Sequence, residues 1–359
     1  MKKKIIIVDG FALIYRAFYA FISNPLKTTK GEPTSAVFGF LRMLIKSIKD
    51  FHPDYIVIAL ESKEPTFRKE IYPEYKANRD EPPEDLQTQI PIIFDVINAF
   101  NIPNISVSGY EADDVIATLA TNFKKNKDLD VYILSGDKDL MQLVGDNVKC
   151  ITSSKGISNI KIFDKEAVEE KFGVPPEKIL EYLSLTGDAS DNIPGIKGVG
   201  PKTAVKLLTE HGNIENIYEH LDRIKGKMRD KVAKGREDVK LSKELVTLKT
   251  DLDIDMDLSN FHLPDFQNQE GIEILKQYEL TNLLSDRFFV KKAEEKKEQS
   301  SKIIPKTTEE IKTPANSKDS IEGKYEGIIT KNEIEDLIKK IKDIGYVSFD
   351  LETTSDKVM

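Results

Sequence analysis

The stretch KIIIVDG, residues 4–10, decides the architecture. Ile5, Ile6, Ile7 and Val8 leave no polar face, so the segment reads as a strand buried on both sides of a sheet. It runs directly into Asp9. In open parallel sheets ligands bind beyond the carboxyl ends of the strands, which makes that acid a candidate functional group. The design recurs along the chain. YIVIAL (55–60) leads into Glu61, VYILSGDKD (131–139) delivers Asp137 and Asp139, and NISVS (104–108) precedes Glu111, Asp113 and Asp114. NVKCIT (147–152) supplies a further strand, while 36–51 and 84–100 have helical periodicity. These patterns predict an α/β domain over residues 1–163, with helices on both faces of a parallel sheet.

From 164 to 290 the pattern is mostly helical. Residues 291–320 lack aromatics and are dominated by Lys, Glu, Ser, Thr and Pro, the composition of a disordered linker. Residues 321–359 begin a new strand, helix, strand pattern.

The basic start at Lys2–Lys4 precedes an apolar run that stops at Asp9, too short for a signal peptide or a membrane span, so the expectation is a cytoplasmic protein with no membrane partner. Cys150 is the single cysteine, and His52, His211, His220 and His262 are scattered. A metal would therefore be held by oxygen, which favours Mg²⁺ or Mn²⁺ over zinc.

LTGDASDN (185–192) adds Asp188 and Asp191, three apart and able to share one helical face. Without Asp9, Glu61, Glu111, Asp113, Asp114, Asp137, Asp139, Asp188 and Asp191, the formal charge would move from −8 to +1. The acidity thus belongs to the candidate site. Nine acids with no basic residues balancing them would repel one another, and bound cations are the natural remedy. Any single one reads equally well as a helix cap; together they point to a centre where two Mg²⁺ hydrolyse a phosphodiester.

Two stretches suit a nucleic-acid substrate. FRKEIYPEYKANR (67–79) interleaves Arg68, Lys69, Lys76 and Arg79 with Phe67, Tyr72 and Tyr75, cations for phosphates and rings for unpaired bases. GIKGVGPKTAVKLL (195–208) offers a turn at Gly195, Gly198 and Gly200, with Lys197 and Lys202 nearby and a helix starting at Pro201, a device for gripping a backbone phosphate.

At this point VDGFALIYRAFYA (8–20), PTFRKEIYPEYKANR (65–79), GYEADDVIATLA (109–120), SGDKDLMQLV (135–144) and LTGDASDNIPGIKGVGPKTA (185–204) resemble, in order, the motifs of the 5′-nuclease region of bacterial DNA polymerase I, shared with phage 5′-nucleases and flap endonucleases. The resemblance implies a PIN-like core with a helix-hairpin-helix DNA clamp. It implies divalent-metal-dependent removal of 5′ ends and flaps from branched DNA, RNA primers included, by a monomer. It would make the carboxylates ligate or organise metals, with Arg16, Lys76 and Arg79 on the scissile phosphate, Tyr75 stacked on a base and a K⁺ at the hairpin. The position of Glu61 is usually Asp in this family. Activity is expected to be retained at some cost, and assaying Glu61→Asp tests this: an unchanged rate and metal dependence would show the extra methylene to be harmless.

FDLETT (349–354) resembles the start of the 3′ to 5′ exonuclease domain that follows this nuclease in DNA polymerase I, with Asp350 and Glu352 in place. Neither proofreading nor polymerase activity is expected of these 359 residues. Two other functions fit parts of the pattern: a non-catalytic branched-DNA binding module, and a PIN-type RNA-processing nuclease.

Overall fold

The computed structural model describes residues 2–153, 160–286 and 288–289. The linker and the 321–359 segment lie outside the described residues.

Ile5–Val8 sit at the centre of a six-stranded sheet. Strand β1 (Lys3–Asp9) pairs in parallel with β2 (Tyr55–Ala59) on one side and with β4 (Leu129–Leu134) on the other, and β3 (Asn104–Ile105) extends the first side. Then β5 (Val148–Ser153) follows β4 in parallel, and β6 (Ile160–Phe163) closes the edge in antiparallel fashion. The order is β3-β2-β1-β4-β5-β6. The chain therefore leaves β1 in one direction and later returns to its other side, so the topological switch lies between β1 and β4, where a crevice opens at the carboxyl edge.

Alternation within the apolar run divides the core. Ile6 and Val8, with Ile56 and Ile58, face α1 (Gly10–Ala20), α2 (Ser35–Phe51) and other helices of one layer. Ile5 and Ile7, with Val57, Val131 and Ile133, face the opposite layer. All eight of Ile5–Val8 and Ile56, Ile58, Val131 and Ile133 are fully buried, at about 1.5–3 kcal/mol for each such side chain.

The sequence reading needs three amendments here. NISVS is not a buried strand: only Asn104 and Ile105 pair, and Asn104 is exposed. The helix expected over 84–100 is broken at Thr88. A short α3 (Phe67–Ile71) precedes it, then α4 (Glu84–Gln87) and α5 (Gln89–Ala99). The sheet is also not purely parallel, because β6 turns back along β5.

The second layer begins with α6 (Ala112–Phe123) and continues after Phe163 through α7 (Lys165–Phe172), α8 (Ile179–Thr186), α9 (Pro201–His211), α10 (Ile214–Glu219), α11 (Lys227–Lys234) and α12 (Arg236–Val246). These helices share one hydrophobic cluster with the sheet, from Val131 through Leu183 and Ala204 to Leu245. Among the described residues no helix is long and apolar enough to cross a membrane.

Cys150 lies on β5, 1% exposed, with its thiol toward the Leu140 carbonyl, and burial pushes its pKa up to about 12. We expect it to react with a thiol reagent in the native state at least ~10³-fold more slowly than in denaturant. Fast native labelling would show that β5 opens locally.

Candidate active site at the carboxyl edge of the sheet

Asp9 ends β1 and caps α1, accepting from the Ala12 amide at 3.0 Å. Its other oxygen accepts from the Ser135 hydroxyl at 2.7 Å, Ser135 Oγ accepts from the Asp137 amide at 3.0 Å, and Asp137 accepts from the Asp139 amide at 2.8 Å. This chain of polar contacts joins the ends of β1 and β4 across the topological switch. Glu61, beyond β2, accepts from the Ala112 amide at 3.4 Å. Asp113 stands in the first turn of α6. Asp9, Glu61, Asp113 and Asp137, together with Lys76 and Arg79, line a cleft of about 570 Å³.

The carboxyls are close enough to resist one another's ionisation. Burial, then the charges of Asp137 and Asp9, hold Asp113 well above the usual carboxylate range. Burial, followed by Asp137, Asp188 and Asp191, does the same to Asp139. Burial and then Glu111 raise Glu61 to about 7. Asp188 goes the other way: burial opposes its ionisation but is outweighed by the Lys138 ammonium at 2.8 Å and the Ser190 hydroxyl at 2.7 Å.

Asp188 and Asp191 do not share a helical face. Helix α8 stops at Thr186, Gly187 takes φ 68°, and Asp188 bridges to Ile193 in a tight loop. That loop is tied to the cationic stretch: the Lys76 amide donates to the Asp191 carbonyl at 3.0 Å, Asn78 to the Ala189 carbonyl at 2.7 Å, and Asn192 to the Glu74 carbonyl at 2.8 Å. Lys76 and Asn192 both hold positive φ, 54° and 58°, an uncommon backbone state for side-chain-bearing residues.

The acids are also not left unbalanced. Lys76 stands 3.0 Å from Glu111 and 3.9 Å from Asp191, and Arg79 lies 2.5 Å from Asp191. Arg16, on α1, donates to the Thr152 hydroxyl at 3.4 Å. Sequence reasoning passed over Ser135 and Lys138. Both lie inside SGDKDL, where a hydroxyl and a cation among acids were the available signal.

Three assignments are corrected. Asp114 is fully buried and faces away from the cleft; both its oxygens take the Arg68 guanidinium, at 2.6 and 2.8 Å, and it also accepts from the amides of Lys249 and Glu111. It organises the start of α6 rather than offering a free ligand. Arg68 is 2% exposed and donates further to the Leu245 and Thr247 carbonyls, so it is structural and presents nothing to a phosphate. Tyr75 is 3% exposed, its hydroxyl donating to Glu111 at 3.0 Å, and its ring is not available to stack on a base. Tyr72 is half-buried beside it.

In the hairpin Lys197, Gly198, Gly200 and Lys202 are exposed and Gly195 is buried. Gly195 has φ 56°, and a Cβ there would stand 2.3 Å from the Gly187 nitrogen. Gly200 has φ −98° and open space around it. Gly195→Ala should therefore cost roughly 2–4 kcal/mol and Gly200→Ala about 1 kcal/mol or less, measured by urea unfolding. Equal costs would mean that the turn is not needed.

Oxygen donors alone suit a hard cation of the Mg²⁺ kind. Among the described residues no three acidic, histidine or cysteine side chains are already gathered as a cage. The residues nevertheless fit such an ion: Asp139 Oδ1 is buried with no hydrogen-bond partner, and its neighbours Asp137, Asp188 and Asp191 add negative charge that a cation would relieve.

The mixed sheet with an acidic cleft at its switch point and a helical layer carrying a glycine hairpin is a PIN-like fold. The T5 5′-exonuclease, solved with bound zinc, superposes with a TM-score of 0.56 at 22% identity, covering 78% of this chain and 98% of that one. The catalytic core of Rad2, solved with a DNA substrate, gives 0.50 at 18% identity, with 77% and 88% covered. In sequence, residues 4–173 match the 5′-3′ exonuclease N-terminal resolvase-like domain, and 174–269 the 5′-3′ exonuclease C-terminal SAM fold. A 5′-3′ exonuclease of Aquifex aeolicus is 42% identical over 286 residues, 79% of this chain and 95% of that protein. The chain belongs to the 5′-3′ exonuclease family. It also matches DNA polymerase I of Borreliella burgdorferi at 38% identity over 98% of its length, and DNA polymerase I of Caldicellulosiruptor bescii at 41% over 78%, while spanning 38% and 33% of those proteins.

Proposed function

We propose that this chain is a structure-selective 5′ to 3′ exonuclease and flap endonuclease that hydrolyses DNA phosphodiesters, and the RNA of primers, with two divalent cations. The observation that carries the reading is the pairing of buried, mutually repelling carboxyls with Lys76 and Arg79 on one cleft. Divalent ions held by Asp9, Asp113, Asp137, Asp139 and Asp188 would supply the charge that acidifies a water and neutralises the leaving oxygen. Lys76, Arg79 and Arg16 orient the scissile phosphate and stabilise its developing charge. Lys76 and Arg79 already rest on Glu111 and Asp191, so the phosphate replaces carboxylate partners and no new cation has to be recruited. Asp191 and Glu111 act as holders of those cations. The hairpin at Gly195–Gly200 grips duplex phosphates without reading bases.

Cleavage of a 5′-labelled flap duplex with Mg²⁺ and with EDTA, comparing this chain with Asp113→Asn and Asp188→Asn, tests the reading. Metal-dependent release of short 5′ products, lost in both variants, is expected. Tight flap binding without cleavage in Mg²⁺ or Mn²⁺ would leave a DNA-binding module with Glu61 as the first suspect.

A further inference from the structure

Residues 225–236 hold six Lys or Arg and one acid, Asp230, in a chain whose net charge is −8. They include α11, which has Val232 as its buried anchor. Lys227, Lys231 and Lys234 fall at i, i+4 and i+7, one stripe along about 10 Å of helix. All three are exposed, and among the described residues none has an acidic group within ion-pair distance; Arg229, by contrast, is drawn to Asp230. Asp230 and Asp238 stand four positions either side of Lys234, yet among the described residues neither closes an ion pair with the stripe, and Asp230 lies 3.7 Å from Arg229 instead.

The stripe abuts the hairpin. The Lys231 ammonium stands 2.7 Å from where a Cβ on Gly198 would be, at a turn with φ 83°. The adjoining helix fixes that contact from beneath: the Ser242 hydroxyl of α12 accepts from the Gly195 amide at 2.9 Å, and Gly235 lies against Ile196. Lys231 thereby joins Lys197 and Lys202, themselves exposed and without ion-pair partners among the described residues.

We propose that the duplex-binding surface runs from the Gly195–Gly200 hairpin onto α11, where Lys227, Lys231 and Lys234 take successive backbone phosphates of double-stranded DNA. The inference rests on the nuclease reading above and adds to it a second phosphate-binding element, on a different helix from the hairpin.

The test is binding of a fluorescein-labelled 5′-flap duplex to the full chain, followed by anisotropy from 50 to 300 mM KCl with Ca²⁺ in place of Mg²⁺ and the DNA checked intact on a gel. The triple variant Lys227→Gln, Lys231→Gln, Lys234→Gln should lower the slope of log K against log salt by about 2–3 and weaken binding on the order of 10²-fold at 0.1 M salt. The triple Lys→Arg variant should restore both. A second triple, Lys124→Gln, Lys125→Gln, Lys127→Gln, at the end of α6, removes the same charge from another exposed site and should change the slope by less than about 0.5. If the two Gln triples behave alike while wild type binds tightly, the α11 surface is overturned and the nuclease reading stands. Absence of flap binding by wild type would overturn both.

Discussion

Asp139→Asn is expected to abolish flap cleavage, by at least about 10²-fold, and at the same time to raise the melting temperature of the metal-free protein by roughly 3–8 °C at pH 8. Both effects come from one carboxyl. Asp139 is held well above the usual carboxylate range, first by burial and then by Asp137, Asp188 and Asp191, and one of its oxygens has no donor. A carboxyl whose folded pKa is raised contributes stability below its unfolded value and loses it as pH rises through the folded one. The wild-type penalty therefore grows as pH rises above the ordinary carboxylate range, and the advantage of the Asn variant should widen with it and vanish near pH 4. Thermal unfolding in EDTA across pH 4–8 reads the sign directly. A variant less stable than wild type throughout would show that Asp139 is a structural acid.

Arg68→Met should have the largest effect on folding, about 3–5 kcal/mol. It strands the fully buried Asp114 without its cation, leaves Glu111 with Lys76 as its remaining cation, and frees the Leu245 and Thr247 carbonyls. At about 2–4 °C per kcal/mol, the melting temperature should fall by roughly 6–20 °C. Adding Asp114→Leu removes the stranded charge and should recover part of the loss, because a buried ion pair is often replaced by apolar groups at little net cost. A double variant no better than the single would assign the cost to lost packing of the Arg68 stem.

The contrast between these two residues explains what could be read from sequence. The strands announced themselves because an apolar run such as Ile5–Val8 has few alternatives to a buried parallel strand, and the acids that end those runs inherit a common edge from topology alone. Arg68 did not, because a cation in a charged, Pro-interrupted stretch looks like solvated surface, and the partners that bury it, Asp114 and Leu245, are 46 and 177 positions away. Asp188 and Asp191 were misplaced for a related reason. Their spacing suits a helix, but Gly187 with φ 68° ends α8 at Thr186, before either acid is reached. The antiparallel turn-back of β6 had no signal in four residues of IKIF.

The stitching between residues 74–78 and 189–192 bears on how this nuclease can be re-engineered. Lys76, with its left-handed backbone, is hung from the Asp191 carbonyl, and Asn78 and Asn192 close the same seam from either side. Lys76, Arg79 and the acidic loop are thus joined as one structural part, although more than a hundred residues separate them in the chain. Grafting the 65–79 stretch of a relative onto this scaffold without its 186–195 counterpart would import a lock without its key, whereas exchanging the two together transfers a finished half of the cleft.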